Sequence, residues 1–287
     1  MHASLEGADY VRGLYLLALR REPEPEALVE AARRLEDGTL SRASLLRDVV
    51  SSEEFARVRA LDDGVAFGSW ARRTDERPRG LQAPASCDER AIEIPWTLAR
   101  YRGEPDVLDV GYALAPPVWL AALADAAPAE IIGVDLQVTD AQSYRGVVAD
   151  VRELPFDSQS FDVAFCISTL EHVGREEPRG NYGPDARRAL EELARVLRPE
   201  GRLLLTVPCG AAEDHDGFVQ REPAWWLELS DEAGFQTVEH EVYVCDADGW
   251  HGAEHAHGVR YALPLGRAGA VLCVELRPPS PPPLTGP

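Results

Sequence analysis

The sequence contains no lysine, and its 29 basic residues, all arginine, are outnumbered by 49 acidic ones. The formal net charge is -20 and the pI is about 4.7. A surface this acidic repels phosphate backbones, and no run of basic residues offsets it, so a DNA or RNA partner is not expected. The lack of lysine, together with the alanine, glycine and proline content, is typical of a GC-rich genome and has no bearing on mechanism.

Cysteine is scarce, and the five residues are scattered without the CxxC spacing of zinc or redox sites. Three of them, Cys166, Cys245 and Cys273, lie in apolar segments that resemble strands. We therefore predict free thiols in a reducing compartment. There is no signal peptide and no apolar stretch long enough to span a bilayer, so a soluble cytoplasmic protein without membrane insertion is expected.

The first 60 residues have the periodicity of packed helices. Apolar residues recur at intervals of three and four around Tyr10 to Ala18, and similar stripes follow after residue 25 and after residue 44. Ser51-Ser52 offers an N-cap before a further helix. The pattern predicts a small all-α domain over residues 1–60.

The rest of the chain divides by composition. Residues 61–87 are polar and contain several glycines and prolines, which predicts a linker. Residues 88–277 hold strand and helix patterns in alternation and are predicted to form the main domain. Residues 278–287 are rich in proline and are predicted to be a disordered tail.

Four apolar segments end at glycine or at a polar residue where a parallel sheet would place its ligand. The run 106–111 ends at Gly111 and is followed by a turn and a helix with proline in its first turn. The next runs end at Asp135, at Asp150 and at Ser168. Short buried strands alternating with helices predict an α/β fold, doubly wound and Rossmann-like, with a mostly parallel sheet of seven strands.

This series of segments resembles the class I S-adenosylmethionine-dependent methyltransferases. The resemblance covers roughly residues 88–276, and its most specific segments are 150–173 and 198–203. It implies S-adenosylmethionine as cofactor, with the first turn as the cofactor loop, Asp135 on the ribose hydroxyls and Asp150 near the adenine amino group. The cofactor-binding residues implied are Asp109, Gly111, Tyr112, Ala113, Asp135, Leu136, Asp150, Val151 and Ser168.

The cofactor loop departs from the family. Gly111 is present, but Ala113 and Ala115 occupy the next two positions where the family has glycine. Alanine is tolerated there if φ is negative, whereas a positive φ would cost of order 1 kcal/mol or more at each. A cofactor-free interaction module with this fold is therefore an alternative.

Glu171 and His172 follow the fourth strand, where the methyl group would be transferred. Transfer from a sulfonium is an in-line displacement, and His172 is the candidate base because imidazole titrates near neutral pH. A structural role for the pair is an equal alternative. The pair could also bind a metal with His215, His251 or His255, but no ligand motif supports this and no metal is predicted.

The predicted reaction is O-methylation of a sugar hydroxyl, in a surface glycan or a glycosylated natural product. This rests on resemblance to glycan-associated relatives, in the helical block and in the segments 89–96 and 168–174. Aromatic residues near polar ones, as at 215–218, 225–226 and 250–251, suit a carbohydrate.

Other predictions concern acceptors and partners. The polar loop 174–184 is expected to cover substrate, and Glu93 and Trp96 to face the site or simply to pack. The helical domain is expected to bind a protein partner. The alternative acceptor is a small non-sugar metabolite.

Overall fold

The computed structural model describes residues 5–127, 129–141, 143–174, 182–262 and 266–279. They fall into two compact units, Met1–Asp63 and Gly64–Pro287. Among the described residues, no helix combines the length and the apolar character that crossing a membrane requires. Four of the five cysteines are buried, and Cys166, Cys209, Cys245 and Cys273 are free thiols. Most of the predicted substrate loop and of the predicted tail lies outside the described residues.

The first unit is helical, as the apolar spacing predicts. It contains α1 (Leu5–Leu19), α2 (Pro25–Glu36), α3 (Arg42–Val50) and the start of α4 (Glu53–Arg73). Its core is formed by four buried residues, Val11, Leu19, Leu45 and Val49. Serine side chains cap two helices: Ser41 accepts the Ser44 N–H at 3.0 Å, and Ser52 accepts the Phe55 N–H at 3.1 Å. Each cap satisfies a backbone donor that the first helical turn leaves without a partner.

The linker predicted over residues 61–87 is wrong for its first half, because α4 continues to Arg73. Gly64 and Gly68 lie on the side of α4 that faces Pro95, where a Cβ on Gly68 would come within 2.7 Å of the Pro95 carbonyl oxygen. These glycines therefore permit close packing of two helices and do not mark a flexible segment.

The second unit is built on a sheet of eight strands in the described part of the chain, one more than predicted. Their order is β3-β2-β1-β4-β5-β10-β8-β9. The strands of this sheet are β1 (Val107–Val110), β2 (Ile131–Asp135), β3 (Tyr144–Val148), β4 (Phe161–Ile167), β5 (Leu197–Pro208), β8 (Gln236–Asp246), β9 (Gly249–Ala253) and β10 (Ala270–Arg277). The first five in this order pair in parallel and the last three pair antiparallel, so the mostly parallel sheet is confirmed.

Helices cover the sheet, and a short ribbon lies beyond its fifth strand. The helices are α5 (Arg90–Arg100), α6 (Pro117–Ala126), α7 (Tyr182–Val196) and α8 (Pro223–Glu232), and the ribbon pairs β6 (Glu213–Asp214) with β7 (Val219–Gln220). β1, β4 and most of β5 are buried, as expected for parallel strands covered on both faces. Trp226 on α8 is buried and belongs to the core.

The antiparallel end of the sheet consists of β10, β8 and β9. β10 lies between β5 and β8 and pairs with both, and β9 forms the edge. Buried Arg100 of α5 binds this end through Glu239 at 2.7 Å and Glu241 at 2.6 Å. Trp96 also donates to Glu241, at 3.0 Å, and is fully buried, so its role is packing.

Replacing Gly68 of α4 and Gly13 of α1 with alanine should change the free energy of unfolding in opposite directions. Gly68→Ala places a Cβ against Pro95 and should destabilise the chain by about 1–3 kcal/mol. Gly13→Ala, in α1, meets no atom within 4 Å and should stabilise by up to about 1 kcal/mol, because alanine loses less backbone entropy. Thermal unfolding of both variants measures this, and a neutral Gly68→Ala would contradict the packing role.

Candidate active site

The carboxyl ends of β1, β2 and β4 surround a cavity of about 280 Å³. This is where a doubly wound sheet binds its ligand. The predicted site residues that line it are Asp109, Gly111, Asp135, Leu136, Asp150, Val151, Ser168 and His172. The side chains of Tyr112, Ala113 and Glu171 lie outside this lining. Arg90, Ile94 and Thr169 also line the cavity, and the sequence analysis did not assign them to it.

Gly111 makes the turn after β1. Its φ is +79°, and its N–H donates to the Val134 carbonyl at 2.8 Å. A Cβ at this position would occupy the space of the Thr169 side chain. Both the backbone conformation and the close approach therefore require glycine.

The two alanines of the loop adopt ordinary conformations. Residues Tyr112–Leu114 form a turn of 3-10 helix, Ala115 has φ -66°, and neither Ala113 nor Ala115 has a positive φ. The Ala113 N–H donates to the Asp135 carboxylate at 3.1 Å, which ties the loop to β2. The loop therefore needs only one glycine, and the departure from the family pattern costs no backbone strain.

Tyr112 lies beneath the loop and not in the cavity. Its ring stacks on Tyr144 with centroids 5.4 Å apart, and its hydroxyl lies 3.3 Å from the Thr139 carbonyl. Gly133 and Gly146 make room for it, because a Cβ at either would overlap the Tyr112 side chain. This geometry gives the Tyr112 side chain a supporting role under the loop.

Asp109 is buried at the end of β1, and its carboxylate is already bound. Trp119 Nε1 donates to it at 3.0 Å and the Tyr144 hydroxyl at 2.8 Å. Burial raises the pKa of Asp109 to about 7, although both hydrogen bonds favour the ionised form. The side chain thus fixes the first turn of α6 against β3.

Asp135, the last residue of β2, and Asp150, just beyond the end of β3, are half-buried at the cavity. Asp135 accepts from two backbone N–H groups, those of Ala113 and Gln137. Asp150 accepts from the Arg152 guanidinium, with its Oδ2 2.6 Å from Nη2, and this bond lowers its pKa. The Arg152 backbone N–H and Nε also donate to Asp150, at 2.8 and 3.0 Å. Because a carboxylate has about four acceptor positions, Asp135 retains about two of them for a ligand and Asp150 about one.

The wall between these acids is apolar. Leu114 is 83% exposed and Leu136 is 61% exposed, and both line the cavity, together with Val151. Large apolar side chains that are this exposed in a concave site mark a ligand surface. An apolar wall flanked by two carboxylates fits a nucleoside, whose base is flat and whose ribose donates hydrogen bonds.

A buried carboxylate supports the other end of the cavity. Glu93 of α5 is fully buried and accepts from the Ser168 hydroxyl at 2.6 Å and from Arg90 Nη1 at 2.8 Å. Ser168 has φ +41°, a strained conformation for a residue with a side chain, and the bond to Glu93 holds it at the cavity wall. The expectation that Glu93 faces the site is met indirectly, through these two lining residues.

Two further buried carboxyl groups lie near Glu93. The Glu89 carboxylate accepts the Ala268 N–H at 3.0 Å, and burial and the neighbouring Glu93 raise its pKa to about 7. Burial also raises the pKa of Glu171 well above its usual range, and its Oε2 has no hydrogen-bond partner among the described residues. Burial therefore favours the protonated form of Glu171.

His172 lies at the mouth of this end, with 55% of its side chain exposed. Its Nδ1 lies 2.7 Å from the Gly217 carbonyl oxygen, and its Nε2 lies 3.8 Å from Glu171. Partial burial lowers the pKa of His172, and the positive charge of Arg90 acts in the same direction. The imidazole is thus neutral at pH 7.

A group of aromatic rings extends from His172. Phe218 lies 5.9 Å from it between ring centroids, and His215 and Tyr261 lie 4.5 and 4.6 Å from Phe218. These three rings come from the β6–β7 ribbon and from the segment after β9, both beyond the parallel strands. The 215–218 aromatics singled out in the sequence therefore do lie beside His172.

The metal alternative gains no support from this arrangement. Among the described residues, no three His, Cys, Asp or Glu side chains are grouped so that they could hold a metal ion. His215 contacts Glu213 and two aromatic rings. His251 pairs with Asp246, and His255 pairs with Glu254, the residue before it.

Comparison with known proteins agrees with the geometry. Residues 108–205 match the family described as a methyltransferase domain. Over these residues the chain is similar to methyltransferase domains. The match supports the predicted enzyme class and the predicted cofactor, S-adenosylmethionine.

Two relatives illustrate the match. Methyltransferase GfsG of Streptomyces halstedii is 29% identical over 154 residues, which are 50% of this chain and 50% of that protein. The 27-O-demethylrifamycin SV methyltransferase of Amycolatopsis mediterranei is 37% identical over 78 residues, 26% of this chain and 25% of that protein. The chain thus spans half the length of the first relative and a quarter of the second.

Solved structures of methyltransferases resemble the chain more distantly. An S-adenosylmethionine-dependent methyltransferase from Mesorhizobium loti is 15% identical, with a TM-score of 0.41 over 61% of this chain and 91% of that one. A likeness of that degree says nothing about the acceptor.

The loop geometry predicts that cofactor binding requires Gly111 and that Ala113 and Ala115 do not weaken it. Gly111→Ala should weaken binding of S-adenosylhomocysteine at least tenfold, because the Cβ displaces Thr169 and φ is positive. Ala113→Gly and Ala115→Gly should change affinity by less than about twofold, because φ is already negative. Calorimetric titration measures all three, and tighter binding by either glycine variant would contradict this reading of the loop.

Glu171→Gln should stabilise the protein increasingly as the pH rises. Because its pKa is raised in the folded state, Glu171 keeps a proton that the unfolded chain releases above about pH 4.3. The stability of the unmodified protein is therefore full at low pH and is lost as the pH rises toward the folded-state pKa, whereas glutamine does not ionise. The gain in Tm of the variant should be several degrees larger at pH 8 than at pH 5.

Glu192→Gln is the matched control. Hydrogen bonds from Arg195 lower the pKa of Glu192, so its contribution is present above about pH 4.3 and is lost only below it. This variant should lose a similar amount of stability at pH 5 and at pH 8. An equal gain for Glu171→Gln at the two pH values would show that Glu171 is ionised in the folded protein.

Proposed function

We propose that the protein transfers the methyl group of S-adenosylmethionine to a hydroxyl oxygen of a sugar, in a surface glycan or a glycosylated natural product. One observation carries the methyl-transfer part. A single cavity has two carboxylates and an apolar wall at one end, and a neutral histidine at the other. These are the groups needed to bind a nucleoside and to deprotonate an acceptor beside it.

At the cofactor end, the chain offers acceptors where a nucleoside has donors. We assign Asp135 to the ribose hydroxyls and Asp150 to the adenine amino group, with Leu136 and Val151 against the base. Asp109 and Ser168 are assigned to the region between the nucleoside and the acceptor, as lining residues already fixed by hydrogen bonds. Ala113 contributes through its N–H, which orients Asp135.

At the reacting end, His172 removes the acceptor proton. S-adenosylmethionine supplies a methyl group on a sulfonium, and the enzyme's task is to align the acceptor oxygen and to take up its proton. The lowered pKa keeps the His172 imidazole neutral at pH 7, as a base must be. Glu171, assigned with His172 to catalysis, lies 3.8 Å from it, and burial raises its pKa, which favours its protonated form.

The sugar acceptor is supported by the ring group beside His172. Phe218 and Tyr261, 4.6 Å apart, offer faces for the C–H groups of a pyranose, while the nearby polar groups suit its hydroxyls. The Amycolatopsis relative is named for methylation at an oxygen, which supports O-methylation. It also supports the alternative acceptor, a small non-sugar metabolite.

A cofactor-free module is less well supported than an enzyme. That alternative rests on Ala113 and Ala115, and their negative φ values remove the physical reason for it. The net charge of -20 supports a small-molecule or glycan acceptor over a nucleic acid, in a cytoplasmic setting. The N-terminal helical unit is proposed to bind a protein partner, since it contributes no residue to the cavity lining.

Substitutions at the two ends of the cavity should separate binding from turnover. Asp135→Ala should weaken S-adenosylhomocysteine binding by about tenfold or more, because a charged acceptor of ribose hydrogen bonds is lost. His172→Gln should leave this affinity within about twofold and lower turnover by about a hundredfold. Calorimetry gives the affinities, and methyl transfer to glycans extracted from a strain lacking the protein gives the turnover.

The two results test different statements. Equal losses of affinity in both variants would contradict the assignment of Asp135 and His172 to different ends of the cavity. Unchanged turnover in His172→Gln would remove its role as base. Methylation of small metabolites but not of glycans in the same extract would replace the sugar acceptor by the alternative.

A further inference from the structure

The turn of the β6–β7 ribbon reaches the ring of His172. The Gly217 carbonyl oxygen, in that turn, lies 2.7 Å from His172 Nδ1, which is hydrogen-bond distance. A carbonyl oxygen accepts hydrogen bonds and cannot donate them. The proton in this bond therefore belongs to Nδ1, although free neutral histidine favours the tautomer with its proton on Nε2.

We infer that the β6–β7 ribbon, through the Gly217 carbonyl, holds neutral His172 in the Nδ1–H tautomer and so leaves the Nε2 lone pair as the base. Gly217 is a positioning residue, since it acts through His172. The catalytic meaning of this inference rests on the proposed function, but the tautomer itself does not.

The position of the Gly217 carbonyl is fixed by two contacts of the ribbon with the segment after β9. Glu213 of β6 accepts from Arg260 Nε at 2.5 Å and from the Tyr261 N–H at 3.1 Å. Gln220 of β7 is fully buried and donates to the Val259 carbonyl at 2.9 Å. Each strand of the ribbon is therefore tied to the same segment, and the turn between them has little freedom.

The surroundings of Nε2 favour the same tautomer. The Glu171 carboxyl group lies 3.8 Å from Nε2. An ionised carboxylate there would draw the proton to Nε2, but burial raises the pKa of Glu171 and so disfavours its ionised form. The guanidinium of Arg90 acts on His172 as a positive charge, which disfavours a second proton on the ring. The Gly217 carbonyl thus accepts the hydrogen bond from Nδ1–H, and the groups near Nε2 do not favour a proton on that nitrogen.

Nitrogen NMR of the full chain tests the tautomer without any substrate. The seven histidines are labelled with ¹⁵N, and His172 is assigned as the signal set that His172→Gln removes. Long-range ¹H–¹⁵N correlation at pH 8 should show Nδ1 at the shift of a protonated nitrogen and Nε2 at that of an unprotonated one. A protonated Nε2 at this pH would overturn the inference.

A variant of the turn tests the role of Gly217. Gly217 has φ +96° and open space around its Cβ position, so Gly217→Ala strains the turn without a clash and should reorient the carbonyl. The Nδ1 and Nε2 shifts of His172 should then move toward each other, and turnover should fall at least tenfold with unchanged affinity for S-adenosylhomocysteine. An unchanged His172 spectrum would overturn the inference.

Gly38→Ala is the matched control. Gly38 also has a positive φ, +75°, and open space around it, but it lies in the helical unit. This variant should leave the His172 signals and the turnover unchanged. The experiment also separates this inference from the proposed function: an Nδ1–H signal together with full turnover in His172→Gln would refute the base while supporting the tautomer.

Discussion

The close approach of Gly111 to Thr169 fixes where the cavity opens. The Thr169 hydroxyl lies 3.3 Å from the Val110 carbonyl and 3.0 Å from that of Ile167, so one side chain spans the ends of β1 and β4. The Gly111 N–H binds Val134 at the end of β2. Three neighbouring strands therefore end at one point, because a residue without a Cβ lets the turn after β1 lie against Thr169. The cofactor end of the cavity lies on one side of this contact and His172 lies on the other.

The protonation of the carboxyl groups beneath the cavity follows from their burial. Glu89, Glu93 and Glu171 are all buried, and Arg90, which is 28% exposed, is the cation that pairs with Glu89 and Glu93. Burial raises the pKa values of Glu89 and Glu171, so the cluster keeps protons that exposed carboxyl groups would release.

The site residues that the sequence predicted best are those whose residue type is characteristic of one position at the end of a strand. Gly111, Asp135 and His172 each end a strand or its turn, and the alternation of strands with helices was sufficient to bring them to one edge. The sequence-based prediction failed at α4. Gly68 has the character of a linker residue, but in the structure it allows Pro95, 27 positions later in the chain, to pack closely against α4. The sequence-based prediction could not place Arg90 either. Ten consecutive residues of α5, Ala91 to Arg100, are buried, so periodicity gave no indication of which face meets the cavity.

The two halves of the site come from different parts of the chain, and this bears on how specificity is encoded. The family match, residues 108–205, contains Asp135, Asp150 and His172, the residues proposed to bind the cofactor and to act in the reaction. The groups that surround the acceptor side, Phe218 and Tyr261, follow that segment, as does the Gly217 carbonyl on His172. The ribbon that presents Phe218 therefore also sets the state of His172. A change in acceptor that moved the ribbon would alter the base as well, so selectivity and turnover are coupled in this fold through one backbone hydrogen bond.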